Sequence, residues 1–137
     1  MAGERISIVA GEFHRSITDS MVESAKQEAA RQSATIVQVV RVPGAFDIPF
    51  AVSKILKQGK ADGVVTIGAI IQGETDHDGV IGYTVAAKLL DLSIAHGKPV
   101  TLGISGPKQS EQDARKRAQE YGSRATAACI QILRGTK

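Results

Sequence analysis

The sequence contains no tryptophan, three phenylalanines and two tyrosines among its 137 residues. Its core must therefore be built from Ile, Val, Leu and Ala, and a Phe placed in a loop needs a reason for being there. The single cysteine, Cys129, excludes an internal disulfide and a cysteine-rich zinc site. Its spacing from Ala125, Ile132 and Leu133 places it in packed core. No segment approaches the ~20 apolar residues of a membrane span, and "MAGERISIVAG" has no apolar leader region. These absences point to a cytoplasmic protein without a membrane partner. Lys and Arg number 17 against 14 acids, giving a net charge of +3. The two signs are interleaved, so no polybasic run marks a nucleic-acid partner. The densest basic stretch is Arg115-Lys116-Arg117, where a guanidinium suits phosphate, but which on its own reads better as a solvated helix face. The length fits one domain over residues 1–137, able to bury a core without staples.

What is present is an alternation of strand and helix signals. "RISIVAG" (5–11), "ATIVQVVRV" (34–42), "ADGVVTIGAII" (61–71) and "KPVTLGI" (98–104) are short, β-branched or apolar runs bounded by Gly or Pro. The third is apolar throughout, as a strand covered on both faces would be. A helix follows each strand. The first runs to about Gln32 with Ile17, Met21, Ala25 and Ala29 at i, i+4 spacing. Ser16 and Asp19 stand at capping-box spacing near its start. The second covers 47–59, with Pro49 in its first turn and Gly59 as its stop. The third covers 77–95, with Val80, Thr84, Ala87, Leu90 and Ile94 along one stripe. The last runs from about Ser110 to Leu133. Four strand–helix units argue for a parallel four-stranded sheet with helices on both faces, an α/β sandwich. Ligands of such sheets sit beyond the carboxyl ends of the strands, here at 11–15, 43–47, 69–77 and 102–107.

The unusual residues are at those ends. In "GEFHRS", Phe13 is either a hydrophobic staple or a ring that stacks on a flat ligand. In "VPGAFDIPF", the amides of Ala45, Phe46 and Asp47 head a helix and lack intrahelical partners. Asp47 either accepts bonds from ligand hydroxyls or caps the helix. In "GAIIQGETDHDG", an apolar run stops and His77 stands among Glu74, Asp76 and Asp78. Adjacent helical side chains point apart, and no second His or Cys lies nearby, so no metal site is expected. A helix N-terminus at Gly73, Glu74 and Thr75 would present free N–H groups to an anion, and a histidine in the first turn suits proton transfer. The plainer alternative has Thr75 and Asp76 as caps with His77 solvated. Asp76 and Asp78 read as bystanders that keep the segment soluble and could tune the histidine.

Together "GEFHRSIT", "VPGAFDIPFAV", "VTIGAIIQGETDHD" and "KPVTLGISGP" resemble, over nearly the whole chain, the 6,7-dimethyl-8-ribityllumazine synthase family in its short archaeal-type form. The resemblance implies a flavodoxin-like fold. The implied reaction condenses 5-amino-6-(D-ribitylamino)uracil with 3,4-dihydroxy-2-butanone 4-phosphate, with no metal and no cofactor. By position, it implies that Phe13 stacks on the pyrimidine and that Ala45, Phe46 and Asp47 hold the ribityl chain and ring. Ala69, Ile70 and Ile71 would line the pocket through their backbone. Glu74 and Thr75 would offer amides to the phosphate, and His77 would move protons. Leu102 and Arg117 would come from an adjacent subunit, Arg117 gripping the phosphate. A homopentamer, in some members a 60-subunit shell, is implied in the same way. The chain departs from the family pattern at His14, where Asn is common, at Asp47 for Glu, at Gln72 for Arg, and at Leu102 for an aromatic. Two other functions stand as alternatives to the one the resemblance implies. One is an archaeal-type riboflavin synthase; the other is a non-catalytic lumazine- or flavin-binding shell protein.

Overall fold

A computed structural model describes residues 3–73 and 77–137. Four strands, β1 (Arg5–Gly11), β2 (Thr35–Val42), β3 (Gly63–Ala69) and β4 (Val100–Ser105), alternate with four helices, α1 (Arg15–Arg31), α2 (Ile48–Gln58), α3 (His77–His96) and α4 (Glu111–Gly135). A single 3-10 turn, Ala45–Asp47, leads into α2. The strands form one parallel sheet in the order β2-β1-β3-β4. This is the parallel α/β sandwich that the alternation predicts, in the three-layer flavodoxin-like form that the resemblance implies.

The layers follow from side-chain alternation along the strands. Ile6, Ile8 and Ala10 of β1 and Val65 and Ile67 of β3 pack against Ile17, Met21 and Ala25 of α1 and Ala114, Ala118 and Cys129 of α4. Val9, Val64 and Ile104 face the other way, onto Ile48, Val52 and Ile55 of α2 and Val85 and Leu89 of α3. Every residue of β3 is buried, because it lies inside the sheet with helices on both faces. No phenylalanine enters either core. Phe13, Phe46 and Phe50 are 67%, 64% and 71% exposed. Burial of Cys129 pushes its thiol up to about 12, so it is packed core and not a nucleophile.

The strand order sets the place for a site. From β1 the chain moves outward to β2, then crosses back past β1 to β3 and on to β4. Right-handed crossovers then put α1 on one face and α2 and α3 on the other, as the two cores require. The loops leaving β1 and β3 thus diverge to opposite faces and leave a crevice between their carboxyl ends.

Two helix features differ from expectation. α1 starts from His14, which has left-handed geometry (φ 59°, ψ 52°) and makes no side-chain cap. Ser16 is already inside the helix, so the expected capping box is not formed. Asp19 instead pairs with Arg41 at 2.9 Å and with Arg15 at 3.6 Å. The apolar stripe on α3 faces outward: Val80, Leu90 and Ile94 are exposed, together with Tyr83. It is Val85 and Leu89 that bury against the sheet. By contrast, Ser110 caps α4 by accepting the N–H of Asp113 at 3.1 Å, and Gly59 ends α2 with φ 73°. No helix among the described residues is long and apolar enough to cross a membrane.

Candidate active site

A cavity of about 250 Å³ opens at the crevice between the carboxyl ends of β1 and β3. Its floor is backbone from Gly11 and Gly68. Phe13, Ala45, Phe46, Asp47, Ala69, Ile70, Ile71 and His77 all line it, as do His14, Gly44 and Gly73. Three strand ends that are distant in sequence thus converge on one space.

Local hydrogen bonding explains each placement. The loop after β1 is tied to the one after β2: Glu12 N–H donates to Val42 O at 2.8 Å and Phe13 N–H to Pro43 O at 3.1 Å. That bond sets the Phe13 backbone, and Gly44 makes room for its ring. A Cβ on Gly44 would lie 2.7 Å from Phe13 Cδ2, closer than real contacts allow. Asp47 does not cap α2 with its side chain. Its Oδ2 reaches back to accept the Gly44 N–H at 3.0 Å, closing the turn that carries Ala45 and Phe46. Oδ1 has no hydrogen-bond partner among the described residues and remains available to a ligand hydroxyl. His77 is the first residue of α3 and is exposed at the cavity rim.

Two expected site residues lie elsewhere. Leu102 is 51% exposed on the open edge of β4, and Arg117 is exposed on α4; neither lines the cavity. Glu74 and Thr75 fall outside the described residues, as does Asp76. Arg115, in the same basic trio as Arg117, pairs with Glu111 at 3.2 Å along the helix. No three His, Cys, Asp or Glu groups among the described residues are placed to hold a metal ion.

Some lining residues were not singled out from the sequence. Ile81 lies one turn beyond His77 on the same helical face, and i, i+4 spacing was sufficient to find it. Gly44 reads from the sequence as no more than a residue able to turn sharply, although its missing side chain is what admits the ring. Asp78 corrects an expectation. Far from being a solvated bystander, it is 8% exposed and its Oδ2 accepts the N–H of Lys108 at 3.0 Å.

A strand-end cavity at a switch point, lined by exposed aromatic rings, an acid and a histidine, places the chain among flavodoxin-like α/β proteins that take a small ligand at the carboxyl ends of their strands. The family model for 6,7-dimethyl-8-ribityllumazine synthase matches residues 3–137. Among curated proteins of that name, the one from Aeropyrum pernix is 46% identical over 134 residues, 97% of this chain and 91% of that protein. The one from Methanobrevibacter smithii is 45% identical over 132 residues, covering 96% and 95%. The one from Archaeoglobus fulgidus is 44% identical over 133 residues, covering 97% and 92%. The chain belongs to the 6,7-dimethyl-8-ribityllumazine synthase family.

Proposed function

We propose that the strand-end cavity is where this chain condenses 5-amino-6-(D-ribitylamino)uracil with 3,4-dihydroxy-2-butanone 4-phosphate, giving the lumazine, phosphate and water in riboflavin biosynthesis. The observation that carries the assignment is the convergence of Phe13, Asp47 and His77 in one cavity from three separate strand ends. In this scheme Phe13 stacks on the pyrimidine. Ala45, Phe46 and Asp47 hold the ribityl chain and the ring, and the backbone of Ala69, Ile70 and Ile71 forms the opposite wall. The ring amine attacks the ketone and water leaves; phosphate is then eliminated, and the second amine closes the ring with loss of another water. Each step shifts protons between two held reactants, so juxtaposition supplies most of the rate and His77 relays protons. Glu74 and Thr75 offer amides to the phosphate at the entry to α3. The chemistry needs no metal and no cofactor.

Leu102 and Arg117 complete the site from a neighbouring copy, with Arg117 holding the phosphate. Support comes from where they stand: both are exposed and outside the chain's own cavity. The outward apolar stripe of α3, Val80, Tyr83, Leu90 and Ile94, supports a helix-mediated homopentamer, with a 60-subunit shell as its larger form. The working unit is then a single-domain subunit in a cytoplasmic ring. Partners are the two small molecules and further copies of the chain, with no nucleic acid and no membrane.

Mixing the two substrates and following lumazine absorbance, with and without chelator, tests the assignment. Product is expected in both arms. Activity abolished by chelator would overturn the metal-free scheme. Pure lumazine should yield no riboflavin, and riboflavin formation would favour the riboflavin synthase alternative. Arg117→Ala should mainly raise KM for the phosphate substrate; an unchanged KM would move that role to Lys116 or Arg124. Size-exclusion chromatography separates monomer, pentamer and shell.

A further inference from the structure

Asp78 is the second residue of α3, directly after His77, and an acid there ordinarily faces water. Here it is 8% exposed, and Oδ2 accepts the backbone N–H of Lys108 at 3.0 Å. Lys108 belongs to the turn between β4 and α4 and has left-handed backbone geometry, φ 64°. The same turn is fastened to the segment leaving β3. Ile70 N–H donates to Ser105 O and Gln72 N–H to Gln109 O, both at 2.8 Å. The Gln109 side-chain amide donates to Ser105 Oγ at 2.8 Å and to Ile70 O at 3.3 Å. On α3, Gly82 admits the Pro107 ring, since a Cβ there would lie 2.7 Å from Pro107 Cδ. The turn is therefore wedged between the cavity wall at 70–72 and the first turns of α3.

Among the described residues, the His77 side chain makes no hydrogen bond of its own. Its position over the cavity is set by its backbone, hence by whatever anchors the first turn of α3. We infer that Asp78 is a positioning residue for the reaction: its carboxylate, through the Lys108 N–H, locks the start of α3 to the β4–α4 turn and so aims His77. This rests on His77 as the proton-transfer group. A buried carboxylate is retained only where it is hydrogen-bonded, and proton transfer needs the imidazole within bonding reach of its target. Small displacements of a group in such a site are costly in rate, on the order of 10²-fold for about 1 Å.

Steady-state kinetics on the full chain decide it. Asp78→Ala removes the acceptor, whereas Asp78→Asn keeps an acceptor oxygen at the same reach without the charge. The expected result is a kcat about 10-fold lower for Asp78→Ala, because His77 loses its aim and not its chemistry. KM for the ring substrate should stay within about twofold, the signature of an interaction expressed in the transition state. Asp78→Asn should return kcat to within about threefold of the parent, because a neutral acceptor keeps most of the bond. Wild-type kcat in Asp78→Ala, or Asp78→Asn as slow as Asp78→Ala, overturns the inference. Should Asp78→Ala not fold, Gln109→Leu loosens the same turn from its other side. It should show the same kcat-selective loss, and a parental kcat there overturns the inference equally. A parent chain inert toward both substrates brings down the His77 role and this one together. An active parent with an indifferent Asp78→Ala brings down only the positioning role.

Discussion

The two ends of the sheet are built by opposite means. At the amino end, polar groups are used on one another. The Arg5 guanidinium and backbone N–H both bond Asp62, at 3.1 and 2.8 Å. Arg134 bonds Glu4 at 3.0 and 3.1 Å and Gln32 O at 2.7 Å. Lys98 Nζ donates to Ala61 O at 2.9 Å. Hydrogen bonds from those guanidiniums hold the Asp62 and Glu4 carboxyls below the usual carboxylate range. At the carboxyl end, ion pairs stand to either side of the cavity, where Arg15 and Arg41 meet Asp19 near β2 and Arg115 meets Glu111 at the start of α4. Beside them the cavity keeps two imidazoles and an Asp47 oxygen without partners among the described residues, and two exposed phenyl rings. One end satisfies its donors and acceptors internally, as folded chains generally do. The other leaves several of them unpaired around the cavity. Substitutions at the carboxyl end should therefore cost activity and little stability, and those at the amino end the reverse.

His77→Ala breaks the carboxyl end hardest. Turnover should fall by ~10²–10⁴-fold, the usual share of one acid–base group. That is ~3–5 kcal/mol of transition-state stabilisation. Residual activity should remain, because juxtaposition of the two substrates survives. The side chain is exposed, so the melting temperature should barely move. Complete loss of activity in a folded variant would mean that His77 does more than relay protons. Parental turnover would mean it does nothing.

Phe13 and Gly44 give the next largest effect and test whether ring placement is the point of the glycine. Phe13→Ala removes the stacking surface, worth ~1–3 kcal/mol for a base-like ring. KM for the ribitylaminouracil should rise about 10-fold on that scale. Gly44→Ala keeps the ring but puts a Cβ 2.7 Å from it. Phe13 is exposed enough to swing away, so the variant should fold and still show a severalfold higher KM. Adding Gly44→Ala to Phe13→Ala should change nothing further, since both act through one ring. Additive effects would show that Gly44 serves the site by another route.

The strands were legible because runs such as "GVVTIGA" are almost wholly apolar and start at a glycine, and the sheet's layering follows from crossover handedness. The cavity's place was legible for the same reason, since strand ends are where such sheets bind ligands. The outward face of α3 was not. Val80, Leu90 and Ile94 recur at helical spacing like any core stripe, and Val85 and Leu89 supply a second one on the opposite face. Periodicity cannot tell a face that meets the sheet from one that awaits another chain. Ser16 and Asp19 misled because S-x-x-D spacing signals a cap, and nothing in the sequence marks His14 as left-handed. Asp78 was misread because its partner, Lys108, lies 30 residues away. Local sequence around an acid says nothing of a backbone N–H brought in by another loop. Leu102 came into view only through family resemblance, and Arg117 stood out from the sequence only as a cation suited to phosphate, because their proposed role is in a neighbour's site.

The smallest expected effect sharpens the comparison from the other side. Asp62→Asn at the amino end keeps an acceptor for the Arg5 N–H but removes the charge. The Arg5 and Asp62 side chains are 48% and 37% exposed, so solvent screens the pair and its worth should be small. The bond from Arg5 lowers the folded-state pKa of Asp62. A carboxyl with a depressed folded-state pKa contributes stability that is fully present above its unfolded value, about 3.9. That contribution is lost as pH falls through the lower, folded-state value. Denaturant melts of parent and variant should differ slightly at neutral pH, and the gap should close only below the ordinary carboxylate range. About 1 M salt should narrow it at any pH. Activity should be unchanged throughout, because the residue lies at the far end of the sheet from the cavity. A loss of activity with no loss of stability would mean that the two ends are not independent.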